Sequence, residues 1–223
     1  MLTPRKKISK QEIKEDKLVT YAVKAQKFYQ ANAKVIQYGM LAVLAVVVIS
    51  TLMVRSKRQA EAQAAARLGI AEYLVNSGMW EQATPELNGV IETFSGTRAA
   101  GKAVFYLAKE ALDSKKYEEA EAGFKRYIGK YHSDAFMTAA AMAGVAACME
   151  DSQRFQEGYT WYEKAYKKAP KSFEAPFYLK DAARCATLAG QKETARRMYQ
   201  KIVDEFEQSS VSQEAEFFLA ALQ

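Results

Sequence analysis

The sequence predicts an all-α chain: a single N-terminal transmembrane helix, then a solenoid of about four helical hairpins closed by a capping helix. Three observations predict it. Val35 to Val54 contains no charged residue. Small residues recur at Ala83, Ala120, Gly158 and Ala195, at intervals of 37, 38 and 37. The apolar/polar alternation of a half-buried strand is absent from the body of the chain.

Composition narrows the class first. With 49% apolar and 12% aromatic residues over 223 positions, the chain has the material for a packed core, which excludes a disordered tail protein. Two cysteines exclude a disulfide scaffold, and only one stretch is apolar enough to span a bilayer, which excludes a polytopic membrane protein. The net charge of +6 is concentrated. Residues 1–34 hold nine Lys/Arg and three acids, and the remainder is balanced. A nucleic-acid binder spreads cations over a folded face to neutralise phosphates. Here they crowd one segment beside an apolar stretch, which points to anionic lipid and away from nucleic acid.

Residues 35–54 read as the transmembrane helix. At about 1.5 Å per residue, twenty residues cross a hydrocarbon core of about 30 Å. Tyr38 and Gln37 sit near one end, where amphipathic side chains suit the headgroup level. A cleaved signal peptide fits less well, because the apolar stretch is too long and Arg55, Lys57 and Arg58 occupy the cleavage region. Within twenty residues of the span each side carries four Lys/Arg. The whole tail carries more, and a long C-terminal domain crosses regardless of charge, so the N-terminus is placed in the cytoplasm. Residues 1–34 are then a basic cytoplasmic tail. It has a capping box at Ser9 and Glu12 and a loose apolar stripe of Ile13, Leu18, Ala22, Ala25 and Tyr29. Residues 55–63 are expected as a juxtamembrane linker, and 64–223 as the solenoid.

In the body, each small anchor is preceded by twelve residues by another: Ala71, Ala108, Ala146 and Ala183. Large residues follow the anchors, as in Leu87 and Val90, Phe124 and Tyr127, Tyr162, and Tyr199 and Ile202. Two amphipathic helices per repeat follow, antiparallel and touching where both present small side chains. Ser212 to Leu222 then reads as a capping helix over the face that a terminal repeat would expose.

This pattern resembles the tetratricopeptide repeat. Lys116-Tyr117-Glu118-Glu119-Ala120 and Arg154-Phe155-Gln156-Glu157-Gly158 look like its turn between helices, and Lys168-Ala169-Pro170 like its exit. The period exceeds the family's usual length of about 34, so longer connections are expected. Pro85 departs from the pattern and is expected as the first residue of its helix after Thr84, or as a kink. The resemblance implies a partner-binding groove lined by the first helix of each pair. By register it would include Leu68, Glu72, Lys102, Phe105, Lys109, Ala143, Ala147, Phe177, Lys180 and Arg184. Trp161, on a second helix, is an alternative exposed anchor for a partner. The matched Lys and Asn residues with which some members clamp a C-terminal carboxylate are not present.

Catalytic chemistry is sparse. There is no phosphate-binding glycine loop, no paired-histidine zinc motif and no nucleophile elbow, so neither an enzyme nor a cofactor or metal is expected. His132 falls in a loop between repeats. Cys148 and Cys185 occupy equivalent positions 37 residues apart and read as small buried hydrophobes, too far apart for a disulfide across packed helices. Absence of an Asn-X-Ser/Thr sequon favours a bacterial setting.

In layout the chain is similar to the ancillary subunit family of the bacterial Sec translocon. That resemblance implies an inner-membrane protein with the repeats in the periplasm. It would be a scaffold whose partners are translocon components, a periplasmic chaperone or exported clients. The alternatives are a scaffold of another envelope machine (outer-membrane assembly, secretion or cell division) or an import-type receptor with the repeats in the cytosol.

Overall fold

The structure, a computed structural model, describes the backbone of residues 10–222 and the side chains of residues 19–222. Ser9, Ile13 and Leu18, part of the expected tail helix, lie outside the described side chains. Among the described residues there are nine helices and no strand: α1 (Lys10–Asn76), α2 (Trp80–Thr93), α3 (Arg98–Asp113), α4 (Tyr117–Lys130), α5 (Ala135–Asp151), α6 (Phe155–Lys168), α7 (Ala175–Leu188), α8 (Lys192–Glu205) and α9 (Ser212–Ala221). The contacts divide the chain into two units, with the boundary between Arg58 and Gln59.

In the first unit α1 has one non-helical residue, Asn32 (φ −117°, ψ 16°). The uncharged stretch is helical throughout, and its large side chains face outward, Val43 at 65% and Val46 at 63% exposure. By length and composition this helix can cross a membrane. Residues 55–63, expected as a juxtamembrane linker, are helical. The segment Gln59–Arg67 is built from Ala, Gln, Glu and Arg, good helix formers without Gly or Pro, so nothing local stops α1. Glu61 already binds within the second unit, accepting from the backbone N–H of Arg98 at 3.1 and 3.2 Å.

The second unit is a solenoid of four helix pairs. The first helix of each pair is the C-terminal part of α1, then α3, α5 and α7; the second is α2, α4, α6 and α8. Each pair is joined by the same turn. Gly78, Lys115, Gln153 and Gly190 all have positive φ, between 60° and 76°, at intervals of 37, 38 and 37. The next residue's N–H reaches back toward the preceding helix, as Met79 to Leu74 O (2.9 Å), Lys116 to Ala111 O (2.8 Å), Arg154 to Met149 O (2.7 Å) and Gln191 to Ala186 O (2.8 Å). These are Schellman closures, which satisfy the last carbonyls of one helix and reverse the chain into the next.

The small anchors sit at the closest approaches. Ala71, Ala83, Ala120, Ala146, Ala183 and Ala195 are fully buried. At Gly158 a Cβ would lie 3.3 Å from Cys185 Sγ and 3.5 Å from Ala146 O, so the position leaves no room to spare. Around the crossings Leu87, Phe124, Tyr199 and Ile202 are buried, each stabilising by about 1.5–3 kcal/mol relative to exposure. Cys148 and Cys185 are free and buried, and burial pushes both thiols up to about 12. At the end of the array, α9 buries Ala215 and stacks Phe218 on Tyr199 at 5.2 Å.

Pro85, expected either to open its helix or to kink it, does not open it: it lies inside α2, five residues after the helix begins. The left-handed turn at Gly78 sets the start, because Gln82 and Ala83 already donate to Met79 O at 3.1 and 2.9 Å. The proline removes one backbone donor without ending the helix.

Candidate protein-binding face

The first helices of successive pairs are tied to one another by polar contacts that recur with the repeat. Glu72 accepts from Tyr106 Oη at 3.1 Å and pairs with Lys102 at 3.6 Å. Arg184 grips both oxygens of Glu150 at 2.7 Å each and bonds Asp181 at 2.8 Å. Lys180 meets Glu214 of α9 at 3.1 Å. The pairs Glu72–Tyr106, Glu150–Arg184 and Lys180–Glu214 are each 34 residues apart. This is about one helical turn short of a repeat, so neighbouring helices present offset rows to each other. The Glu150 pair raises the Arg184 guanidinium further, while burial raises the Asp181 carboxyl above its ordinary value.

Between these ties the face is apolar. α5 carries Ala, Met, Gly and Val around its whole circumference, and Ala143 and Ala147 are half-buried. Two cavities open along the array, one beside the start of α5 and one between α7 and α9. One of ≈ 480 Å³ is lined by Glu61, Leu68, Arg98, Lys102, Tyr127 and Asp134 among others. The other, ≈ 260 Å³, is mostly apolar and lined by Leu188, Tyr199, Phe218 and Leu222, with Lys180, Arg184 and Glu214.

The residues expected in the groove divide accordingly. Lys102 with Leu68, and Lys180 with Arg184, each come together at a cavity. Leu68 is only 4% exposed and belongs to the core as well as the cavity wall. Phe105 is half-buried with its ring edge-on to Phe124 (5.4 Å) and Tyr127 (5.9 Å), so its main contacts are internal. Lys109 is exposed and makes no ion pair among the described residues. Phe177 is half-buried 5.9 Å from the exposed Phe173. Trp161 is half-buried against both halves of the core, with Lys164 Nζ 4.2 Å above its ring. His132 is exposed in the turn before α5. Reasoning from register missed Tyr106, Glu150, Asp181 and Glu214. The signal was complementary partners 34 positions apart, legible only once the offset between neighbouring helices is known. Among the described residues no group of three or more His, Cys, Asp or Glu could hold a metal ion.

An array of helix pairs joined by recurring left-handed turns, with a capping helix, is an α-solenoid. The chain belongs to the tetratricopeptide repeat-like domain family, whose model matches residues 26–223, taking in the uncharged stretch as well as the repeats. No curated protein matches the chain at a significant level. Among solved structures it is similar to the nearly identical TPR-like repeats of a putative kinesin light chain from Podosopora anserina. Identity is 14% and the TM-score 0.57, covering 73% of this chain and 86% of that one. A single-substitution variant of those repeats matches with the same identity and TM-score, over 73% of this chain and 85% of that one. At this identity the likeness is one of fold. A tetratricopeptide-like array of this kind is a protein-interaction scaffold.

Proposed function

We propose that the chain is a membrane-anchored scaffold. In this reading α1 is fixed in the bacterial inner membrane with its N-terminus in the cytoplasm. The repeats hold other polypeptides in the periplasm, as an ancillary subunit beside the Sec translocon that assists exported proteins. The observation that carries the anchor is the exposure of the uncharged stretch. Twenty residues without a charge present Val, Leu, Ile and Met outward, a surface of a kind that water disfavours and hydrocarbon accepts. The family match beginning at residue 26 supports treating this stretch and the repeats as parts of one unit. The partner-binding surface is the face with Glu72, Lys102, Ala143, Ala147, Lys180 and Arg184, where ion-paired rims border an apolar middle. Its partners on this reading are translocon components, a periplasmic chaperone or exported clients.

Two measurements test this. Protease added to spheroplasts is expected to digest the repeats; digestion only after the inner membrane is breached overturns the orientation and favours a cytosolic receptor. Crosslinking followed by mild detergent extraction is expected to recover the translocon channel. Recovery of a different envelope assembly instead overturns the translocon assignment and leaves the scaffold.

A further inference from the structure

The part of α1 that precedes the uncharged stretch has a face of its own. Tyr21, Ala22, Ala25, Phe28 and Tyr29 follow the spacing i, i+1, i+4, i+7, i+8, which gathers them on one side of a 3.6-residue helix. The aromatic members have no cover: Tyr21 is 69%, Phe28 66% and Tyr29 51% exposed. Lys24 borders one edge of this stripe and Gln26 the other. Lys27 and Gln30 fall on the far side, together with Val19 and Val23. The helix then breaks. Asn32 leaves helical geometry, and its side-chain amide donates to Phe28 O at 3.0 Å, so a carbonyl at the break keeps a donor. Lys34 follows, and the uncharged stretch begins at Val35.

We propose that residues 19–31 form an interfacial helix lying along an anionic phospholipid surface, with Tyr21, Phe28 and Tyr29 inserted and Asn32 as the corner at which α1 turns into the bilayer. It rests on the reading of α1 as a bilayer anchor. Three features favour lipid as the occupant. An aromatic stripe with Lys24 at its edge suits the boundary between acyl chains and headgroups, where the lysine stem lies along the apolar layer and the ammonium group reaches phosphate, while Lys27 adds positive charge to the polar side. The positive charge complements an anionic leaflet. The break stands three residues before a segment long enough to span the core, where a helix in the plane of the surface must change direction.

The test uses the full chain reconstituted in vesicles with about one-third phosphatidylglycerol. Phe28→Cys, Gln30→Cys and Val46→Cys variants each carry an environment-sensitive fluorophore. The native thiols, buried and raised to about 12, do not compete for label. The label at position 28 is expected to be shielded severalfold from an aqueous quencher relative to the label at 30. That contrast is expected to shrink at least twofold in about 0.5 M salt, where screening is short-ranged, in neutral phosphatidylcholine vesicles, and in the Lys24→Glu/Lys27→Glu background. Equal quenching at 28 and 30 with a protected label at 46 overturns the interfacial helix and leaves the anchor standing. A contrast that ignores salt and lipid charge overturns the anionic surface as its occupant. Free quenching at 46 overturns the anchor itself.

Discussion

The uncharged stretch of α1 and the helix α5 are both largely apolar around their circumference, yet on the proposed reading they solve opposite problems. Between Val35 and Val54 the side chains are mostly Val, Leu, Ile and Met, and they point away from the protein, as Val46 does. In α5 Ala is the commonest residue, seven of seventeen, with Gly144, Val145 and Cys148, and Val145 is fully buried. A helix without a polar face must be enclosed by something. Where the enclosure is other helices, side chains must be small so that several backbones can approach at once. Where it is lipid, nothing limits their size. If the proposed anchor holds, volume, more than hydrophobicity, separates the two fates.

Paired substitutions break or sharpen this contrast. The largest effect is expected from a carboxylate. Val145→Asp places an unpartnered acid in the core and should cost about 4 kcal/mol, enough to lower or abolish the thermal transition of the repeats by circular dichroism in detergent. Val46→Asp should leave that transition unchanged. It should instead reduce membrane insertion, at a cost of about 2.5–3.5 kcal/mol near a helix centre, read as the carbonate-extractable fraction. If Val46→Asp melts the repeats as Val145→Asp does, the two helices are not in different environments.

A milder pair uses one methyl group. Glycine to alanine in a helix ordinarily stabilises by about 1 kcal/mol. At Gly39 nothing lies within 4 Å of the added Cβ, so the repeats should melt as before. At Gly144 the Cβ would fall 2.6 Å from two carbons of the Phe124 ring, which is itself buried and cannot retreat. Overpacking there should outweigh propensity and cost about 1–3 kcal/mol.

The small anchors were legible in the sequence because tight crossings demand Ala or Gly whatever else changes, and 37-residue recurrence exposes them. The turns were legible only in part. Gly78 and Gly190 advertise a left-handed residue, whereas Lys115 and Gln153 adopt the same φ without the chemistry that signals it. The candidate face was less legible still. Register puts Leu68 and Phe105 on it, and in the structure Leu68 is also a core residue and Phe105 packs edge-on to Phe124. The Glu150–Arg184 tie depends on an offset between helices that no single repeat encodes. The helical state of 55–63 follows from composition, because Ala-rich sequence without Gly or Pro carries the helix through.

Where α5 ends, the contrast sharpens again, because the span has no stop and α5 has one. Gln153, at φ 60°, bears a strain that glycine would relieve. Gln153→Gly should therefore stabilise the repeats by about 0.5–1 kcal/mol, against the usual loss of chain entropy on folding a glycine. Gly190→Ala, at the equivalent turn with φ 76°, should destabilise by about 1 kcal/mol. Chemical denaturation with both midpoint and slope recorded checks the pair, since unchanged slopes tie the shifts to the native turn.

The smallest effect comes from acid, to which the span offers no carboxylate while the surroundings of α5 offer several. On one side Glu121 is held below the usual carboxylate range, first by the hydrogen bond from Lys125 and also by Arg154, the residue that begins the turn into α6. Its folded value lies below its unfolded one, so its contribution is present above the ordinary carboxylate range and is lost as pH falls through the folded value. Asp181, raised chiefly by burial, has the opposite sign: it weakens the fold when ionised and restores stability as pH falls through its folded value toward its unfolded one. Glu121→Gln should flatten the decline of the melting temperature between about pH 5 and 3, and Asp181→Asn should steepen it, each by about 1–2 °C for such screened groups. Identical acid limbs in both variants would mean that the polar ties bordering α5 contribute nothing through their charge. The geometry of Arg184 on Glu150 would then serve only to set the spacing of neighbouring helices.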